Sequence, residues 1–179
     1  MDQIIAQAVG IVAMFFMIFS FQQKKTGGIL VFQMIGTLLF SVNFLLLGEY
    51  IGCILNFLGF LRSILFLKKK EWHTDNNLWL AIFTAGYVGA YVLTFTVFGA
   101  ELTVPNLILQ CLPVLGMFFG HLSLRCEDPA KLRKIFLASA CSWLIFNVIV
   151  VAIGAILCES FNIVSILVAM ARFDRKKED

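Results

Sequence analysis

Residues 36–56 read G-T-L-L-F-S-V-N-F-L-L-L-G-E-Y-I-G-C-I-L-N. Two apolar runs meet at the short Gly48-Glu49 break, and each continues outward to the length of a bilayer-crossing helix, about 20 residues. The first run occupies 29–47 and the second 50–67. Extending the same reading along the chain gives seven candidate helices, at about 3–21, 29–47, 50–67, 77–98, 105–122, 133–154 and 157–172. The composition agrees: 60% of the 179 residues are hydrophobic, 14% are charged, and Phe alone supplies 19 positions. Soluble domains run near half apolar and a quarter charged, so a water-soluble fold is excluded and the chain is read as all-α and membrane-embedded. The first apolar run is expected to remain as a helix. Asp2 follows Met1, and neither a basic leader nor a small-residue cleavage site frames the run.

Charge placement orients the helices. The 14 basic residues cluster as Lys24 and Lys25; Arg62 and Lys68 to Lys70; Arg125, Lys131, Arg133 and Lys134; and Arg172, Arg175, Lys176 and Lys177. All lie in or beside the first, third or fifth loop or the C-terminal tail. The second, fourth and sixth loops hold Glu49, Glu101 and Glu159 and no Lys or Arg. Excess Lys and Arg marks the cytoplasmic side, which predicts the N-terminus outside and the C-terminus cytoplasmic, and hence an odd number of helices. The net charge of +3 comes from these anchors and gives no reason to expect nucleic acid as a partner. Pro105 and Pro129 suit first-turn helical positions, with Asp128 as an N-cap for the latter. Thr74 or Asp75 is expected to cap the fourth helix. Trp72, Trp79 and Tyr50 fall near predicted interfaces.

The opening stretch recurs weakly at 139–162, S-A-C-S-W-L-I-F-N-V-I-V-V-A-I-G-A-I-L-C-E-S-F-N. Asn43 aligns with Asn147, and after a two-residue insertion Asn56 aligns with Asn162. Each unit has an aromatic (Phe40 or Trp143), an outer acidic loop (Glu49 or Glu159) and an Asn-bearing helix that ends in basic residues. Both units run in the same direction, so a helix between them is required. The predicted plan is a 3+1+3 parallel repeat: a three-helix bundle over 1–70, a linker transmembrane helix over 71–100, and a second bundle over 101–179 with a short basic tail. Parallel repeats about an axis along the membrane normal are one transporter construction.

The segment Gly10 to Lys70, with F-L-L-L-G-E-Y-I-G at 44–52 and L-R-S-I-L-F-L at 61–67, together with the closing R-F-D-R at 172–175, resembles the YgjV family of bacterial inner-membrane proteins over nearly the whole chain. That resemblance implies a multi-pass inner-membrane location and assigns no molecular function. The layout with the N-terminus outside also resembles the SWEET, SemiSWEET and PQ-loop group, in which two three-helix bundles pair around a solute path. There an aromatic on the second helix precedes an Asn on the third by about 16 residues. Phe40 and Asn56 match that spacing, and Trp143 and Asn162 match it with the insertion. The Pro-Gln pair of that group reads Phe21-Gln22 here, and Pro113 lies nearer the outer side than the group's hinge. Both departures weaken the case for proline-hinged rocking.

Interior polar residues are where function is sought. Gly52, Asn56, Gly59 and Ser63 recur along one face of the third helix, and Asn162, Ser165, Ala169 and Arg172 along one face of the last. Small residues with amides can be interhelical glue. At repeat-related positions, Asn56 and Asn162 are also candidates for a solute site, with Phe40 and Trp143 enclosing the solute. Asn43 and Asn147 are mid-helix and must face protein or water, since an amide in lipid costs a few kcal/mol. Faces of the fifth helix (Asn106, Gln110, Pro113, Met117, His121) and of the first (Gln3, Gln7, Gly10, Met14) could complete the lining. Weaker gate or coupling candidates are Arg62, Glu49, Glu159 and His121. For them the plainer expectations are snorkelling by Arg62, solvated outer-loop acids for both glutamates, and interface placement for His121.

The five cysteines form no C-x-x-C pair, the two histidines stand apart, and no catalytic signature occurs. We therefore expect no metal, no cofactor and no enzymatic activity. Cys53 and Cys158 fall near the outer ends of their helices, where small packing residues are the stronger reading and a bridge the weaker. The function expected is binding or facilitated passage of a small polar, uncharged or zwitterionic solute by SWEET-like alternating access. The alternative is a membrane interaction or receptor-like protein acting through its basic cytoplasmic face, which would depend on Arg133, Lys134 and Lys176 and not on the interior Asn pair. The partners are the lipid bilayer and such a solute. The sequence leaves a homo-oligomer open.

Overall fold

The computed structural model describes residues 2–20, 23, 26–74, 76–126 and 128–173. Phe21-Gln22, Lys24, Lys25, Asp75 and the tail from Asp174, with Arg175, Lys176 and Lys177, lie outside them. Among the described residues all regular structure is helical: α1 (Asp2–Ser20), α2 (Thr26–Leu46), α3 (Tyr50–Leu67), the single turn α4 (Lys69–Trp72), α5 (Asn77–Thr96), α6 (Val104–Leu124), α7 (Pro129–Ile149) and α8 (Ile153–Phe173). Six of these, α1, α3, α5, α6, α7 and α8, are long and apolar enough to cross a membrane. In α2 the apolar stretch is the shorter Leu30–Leu46. Large side chains such as Phe15, Leu45, Phe57, Val88, Ile108, Ile145 and Val164 point outward from every long helix, a surface that suits acyl chains and not water.

Local chemistry explains several boundaries. Asp128 accepts a hydrogen bond from the Ala130 N–H at 3.1 Å, with Pro129 in the first turn of α7. Pro105 likewise opens α6. The cap of α5 is Asn76, whose Oδ1 accepts from the Trp79 N–H at 3.0 Å. Thr74, expected in that role, is instead buried with its hydroxyl unpartnered among the described residues.

The helices pack as a ring. α2 lies between α1 and α3, α7 lies between α6 and α8, and contacts of α1 with α8 and of α3 with α6 close the circle. α5 stands outside it and leans on α3 and α6 through the stripe Phe83, Tyr87, Ala90 and Thr94.

The α2–α3 and α7–α8 turns have the same hydrogen bonding. In the first, the N–H groups of Leu47, Gly48 and Glu49 donate to the carbonyls of Asn43, Leu45 and Phe44; in the second, those of Val150, Val151 and Ala152 donate to Phe146, Val148 and Asn147. The middle residue is left-handed in both, Gly48 at φ 79° and Val151 at φ 57°. Near the far ends of α1 and α6, Ser20 and Ser123 donate to the carbonyls three residues back, Met17 at 2.6 Å and Gly120 at 2.8 Å. In this register Phe40 keeps Trp143 as its counterpart. Asn43, however, pairs with Phe146 and not Asn147, and Asn56 pairs with Glu159 and not Asn162.

The second turn also corrects a boundary. The break falls at Val150 to Ala152, so Glu159, expected in an outer loop, is the seventh residue of α8. The usual turn signal misleads here. Val151, β-branched and rarely left-handed, makes the turn, whereas the nearby Gly154 is helical.

Candidate functional site

Where the two three-helix groups face each other, a cavity of about 110 Å³ lies between them. Its wall takes residues from all six ring helices and none from α5. Toward the α2–α3 and α7–α8 turns it is roofed by aromatic rings: Phe44 lies 6.1 Å from Trp143 and 6.0 Å from Phe146, and Phe40 lies 6.5 Å from Phe44, between ring centroids. Gly116 lets the Trp143 indole lie flat on α6, since a Cβ there would come within 2.7 Å of Nε1. Gly52 does the same for Phe44 on α3, at 2.7 Å.

Polar side chains are set among the apolar ones of the wall. Asn56, Asn147, Glu159, Asn162, Thr37, Ser139 and Arg62 all line it. Asn56 donates its amide to the Gly52 carbonyl at 2.9 Å, and Asn162 donates to Glu159 Oε2 at 3.2 Å. Ser139 donates to the Gly116 carbonyl at 2.7 Å. Asn147 is 1% exposed, and its Oδ1 has no partner among the described residues. An unmet buried acceptor of this kind costs about 1–3 kcal/mol, so Asn147 marks a place where a donor is wanted.

A second cavity, about 400 Å³ and mostly apolar, opens toward the opposite end between α2, α6, α7 and α8. Gln33, Ser123 and Ser165 are among its lining residues, and it shares Phe136 and Asn162 with the central one. The central space thus has a cluster of rings toward the turn end and adjoins a vestibule at the end where the basic residues cluster.

The candidates from sequence divide cleanly. Asn56, Asn162, Phe40, Trp143, Asn147, Arg62 and Glu159 come together at the cavity. Asn43 does not: its amide donates to the Ala6 carbonyl at 2.7 Å, tying α2 to α1. Glu49 stays at the α2–α3 turn, half-buried, and that burial pushes its carboxyl above the usual range. His121, in the last turn of α6, is fully buried, edge-on to Phe66 and Phe83 at 5.9 and 5.4 Å, and it does not line the cavity. Arg62 corrects another expectation. It does not snorkel along α3 to the interface but lines the cavity and donates to the Tyr87 hydroxyl of α5 at 3.5 Å. Its sequence distance from Lys68 allowed snorkelling; the phenol on α5 gives the guanidinium a closer partner.

Cys158 lines the cavity and Cys53 packs against Ser41, which donates to the Cys53 carbonyl at 2.8 Å; both thiols are free. Among the described residues no group of three His, Cys, Asp or Glu stands together as a metal site. Thr37, Ser139, Phe44, Phe136 and the Gly116/Gly120 pair were missed in the sequence. For the glycines a signal was present, since small residues four apart on an apolar helix mark a close contact.

No curated protein and no solved structure matches the chain. A family model described as Imp-YgjV, bacterial inner membrane protein, matches residues 4–177. The match runs through both halves of the ring and the helix outside it, and it places these apolar helices in the bacterial inner membrane as a multi-pass protein. The chain therefore belongs to the YgjV family of bacterial inner membrane proteins.

Proposed function

We propose that this protein binds a small polar solute, uncharged or zwitterionic, and passes it across the inner membrane by SWEET-like alternating access between two bundles, α1–α3 and α6–α8. One observation carries the reading: a cavity at the meeting of all six ring helices, with polar side chains and the unmet Asn147 acceptor in its wall. The shared hydrogen bonding of the two turns and the position of α5 outside the ring support a 3+1+3 parallel repeat, with bundles in 1–70 and 101–179 joined by the helix in 71–100. In the proposed topology the N-terminus is outside and the C-terminus cytoplasmic. The aromatic roof is then the closed outer gate and the vestibule the inward opening. Asn56, Asn147 and Asn162 hold the solute, and Phe40 and Trp143 cover it. The reading assigns no enzymatic step and no cofactor.

The test is thermal stabilisation of the purified protein by a panel of polar solutes, followed by uptake of any hit into liposomes. The expected result is a solute that raises the Tm of the wild type and no longer does so for Asn56→Ala or Asn162→Ala. If no solute stabilises in an Asn-dependent way, the transport reading fails. The receptor-like alternative gains if biological activity instead tracks Arg133 and Lys134.

A further inference from the structure

The wall of the central cavity is not uniformly polar. Two of its amides each spend a donor within the protein: Asn56 Nδ2 on the Gly52 carbonyl and Asn162 Nδ2 on Glu159. An acceptor in the same wall, Asn147 Oδ1, is without partner among the described residues, and the Glu159 carboxyl group, which lines the cavity too, has no ion pair there. Arg62, on the facing bundle, has the opposite character. It is all donor, and it places one N–H on a neutral phenol at 3.5 Å, with no carboxylate paired to it among the described residues.

The two charges occupy different levels. α3 and α8 both start at the roofed end; Glu159 is the seventh residue of α8 and Arg62 the thirteenth of α3. Six residues of rise separate their backbones by about 9 Å along the axis. Arg62 turns to Tyr87 and Glu159 accepts from Asn162, and the two form no salt bridge. Arg62 and Glu159 share one membrane-embedded cavity without pairing, and an ionised side chain there needs a counter-charge.

We propose that the solute is a small zwitterion held lengthwise between these groups. Its cationic end lies at Glu159, nearer the aromatic rings, and its anionic end at Arg62, farther from the turns. The inference rests on the solute-binding reading above and sharpens it. The zwitterion supplies both missing counter-charges at once and brings no net charge into the bilayer, which neither a simple anion nor a simple cation can do.

The experiment compares ω-amino acids of increasing length (glycine, β-alanine, 4-aminobutyrate, 6-aminohexanoate) with propionate, ethylamine and glycerol, by thermal shift of the purified full-length protein. At saturating concentration, at least one zwitterion is expected to raise the Tm by roughly 2–5 °C, as ligand linkage gives for a chain of this length, with little shift from the three controls. Glu159→Gln and Arg62→Gln should each abolish the shift. Arg62→Lys, which keeps the charge, should retain part of it. Stabilisation by glycerol that depends on Asn56, with none by any zwitterion, overturns this inference and leaves the solute reading standing. No stabilisation by any compound overturns both. If the Gln variants do not fold, the wild-type comparison between zwitterions and matched single ions still decides the matter.

Discussion

Trp143 keeps its place because position 116 has no side chain. The indole lies where a Gly116 Cβ would be, so Gly116→Ala must push the ring off α6 and into the cavity it covers. Overpacking of this kind costs about 1–3 kcal/mol. With Trp72 and Trp79 replaced by Phe, the emission of Trp143 should move to longer wavelength in Gly116→Ala, as the ring enters a polar space, and solute-induced stabilisation should fall with it. An unchanged spectrum would mean that the glycine does not position the ring. Glu49 allows a prediction about pH. Burial at the α2–α3 turn raises its pKa above the ordinary 4.5, so the folded protein holds this proton more tightly than the unfolded chain. Stability from this group is therefore greatest at low pH and declines as pH rises above the unfolded value. Glu49→Gln should match the wild type in Tm near pH 4 and exceed it at pH 7. A lower Tm for the variant at pH 7 would show that the carboxylate has a stabilising partner.

α1 and α8 meet backbone to backbone. A Cβ on Gly154 would collide with the Gly10 carbonyl group. One turn away, Gln7 donates to the Val151 carbonyl at 2.8 Å and accepts from the Ile153 N–H at 3.0 Å. This seam joins the two bundles beside the turn at which α7 becomes α8. Gly154→Ala forces the helices apart at a point where neither backbone can yield cheaply, and a Tm loss corresponding to about 1–3 kcal/mol is expected. Gly89→Ala on α5, where an added Cβ meets nothing, is the control and should leave the Tm unchanged or raise it slightly, given the helix propensity of Ala. Equal effects at the two positions would sink the account of the seam. The same region shows what the sequence could and could not convey. The first hairpin was readable because Gly48 is the residue a left-handed turn prefers. The second was misplaced because Val151 takes that conformation against its own preference, while Gly154, which looks like a turn residue, serves close packing. Its misplacement carried Glu159 out of the helix and out of the cavity in the sequence reading.

The apolar composition and the sorting of basic residues are properties of the solvent around the chain, so they were legible without coordinates. The packing order inside each group was not, because α2 between α1 and α3, and α7 between α6 and α8, depend on which apolar faces fit together. The cavity candidates were found because amides and an arginine are expensive in lipid and so must turn inward, yet cost alone could not separate Asn43, which ties α1 to α2, from Asn147, which lines the cavity. The ring and its two cavities together make a prediction about access. Cys158 lines the central cavity, and Ser165 lines the vestibule with an exposed side chain. Take a chain in which Cys53, Cys111, Cys126 and Cys141 are replaced by Ala, and treat it in membrane vesicles with a bulky, charged maleimide. If the roof is the outer gate and the vestibule opens inward, Cys158 should react in inverted vesicles, where the cytoplasmic face is outside, and be protected in right-side-out ones. Ser165→Cys, with Cys158 also replaced, should react faster on the same side, because it stands in the wider space. A solute occupying the cavity should slow Cys158 and spare Ser165→Cys, since only the former shares a wall with Asn147 and Glu159. Labelling of Cys158 from the right-side-out face alone would reverse the assigned orientation. Labelling of Ser165→Cys without Cys158 would mean that Phe136 and Asn162, the two residues common to both cavities, close the passage between them.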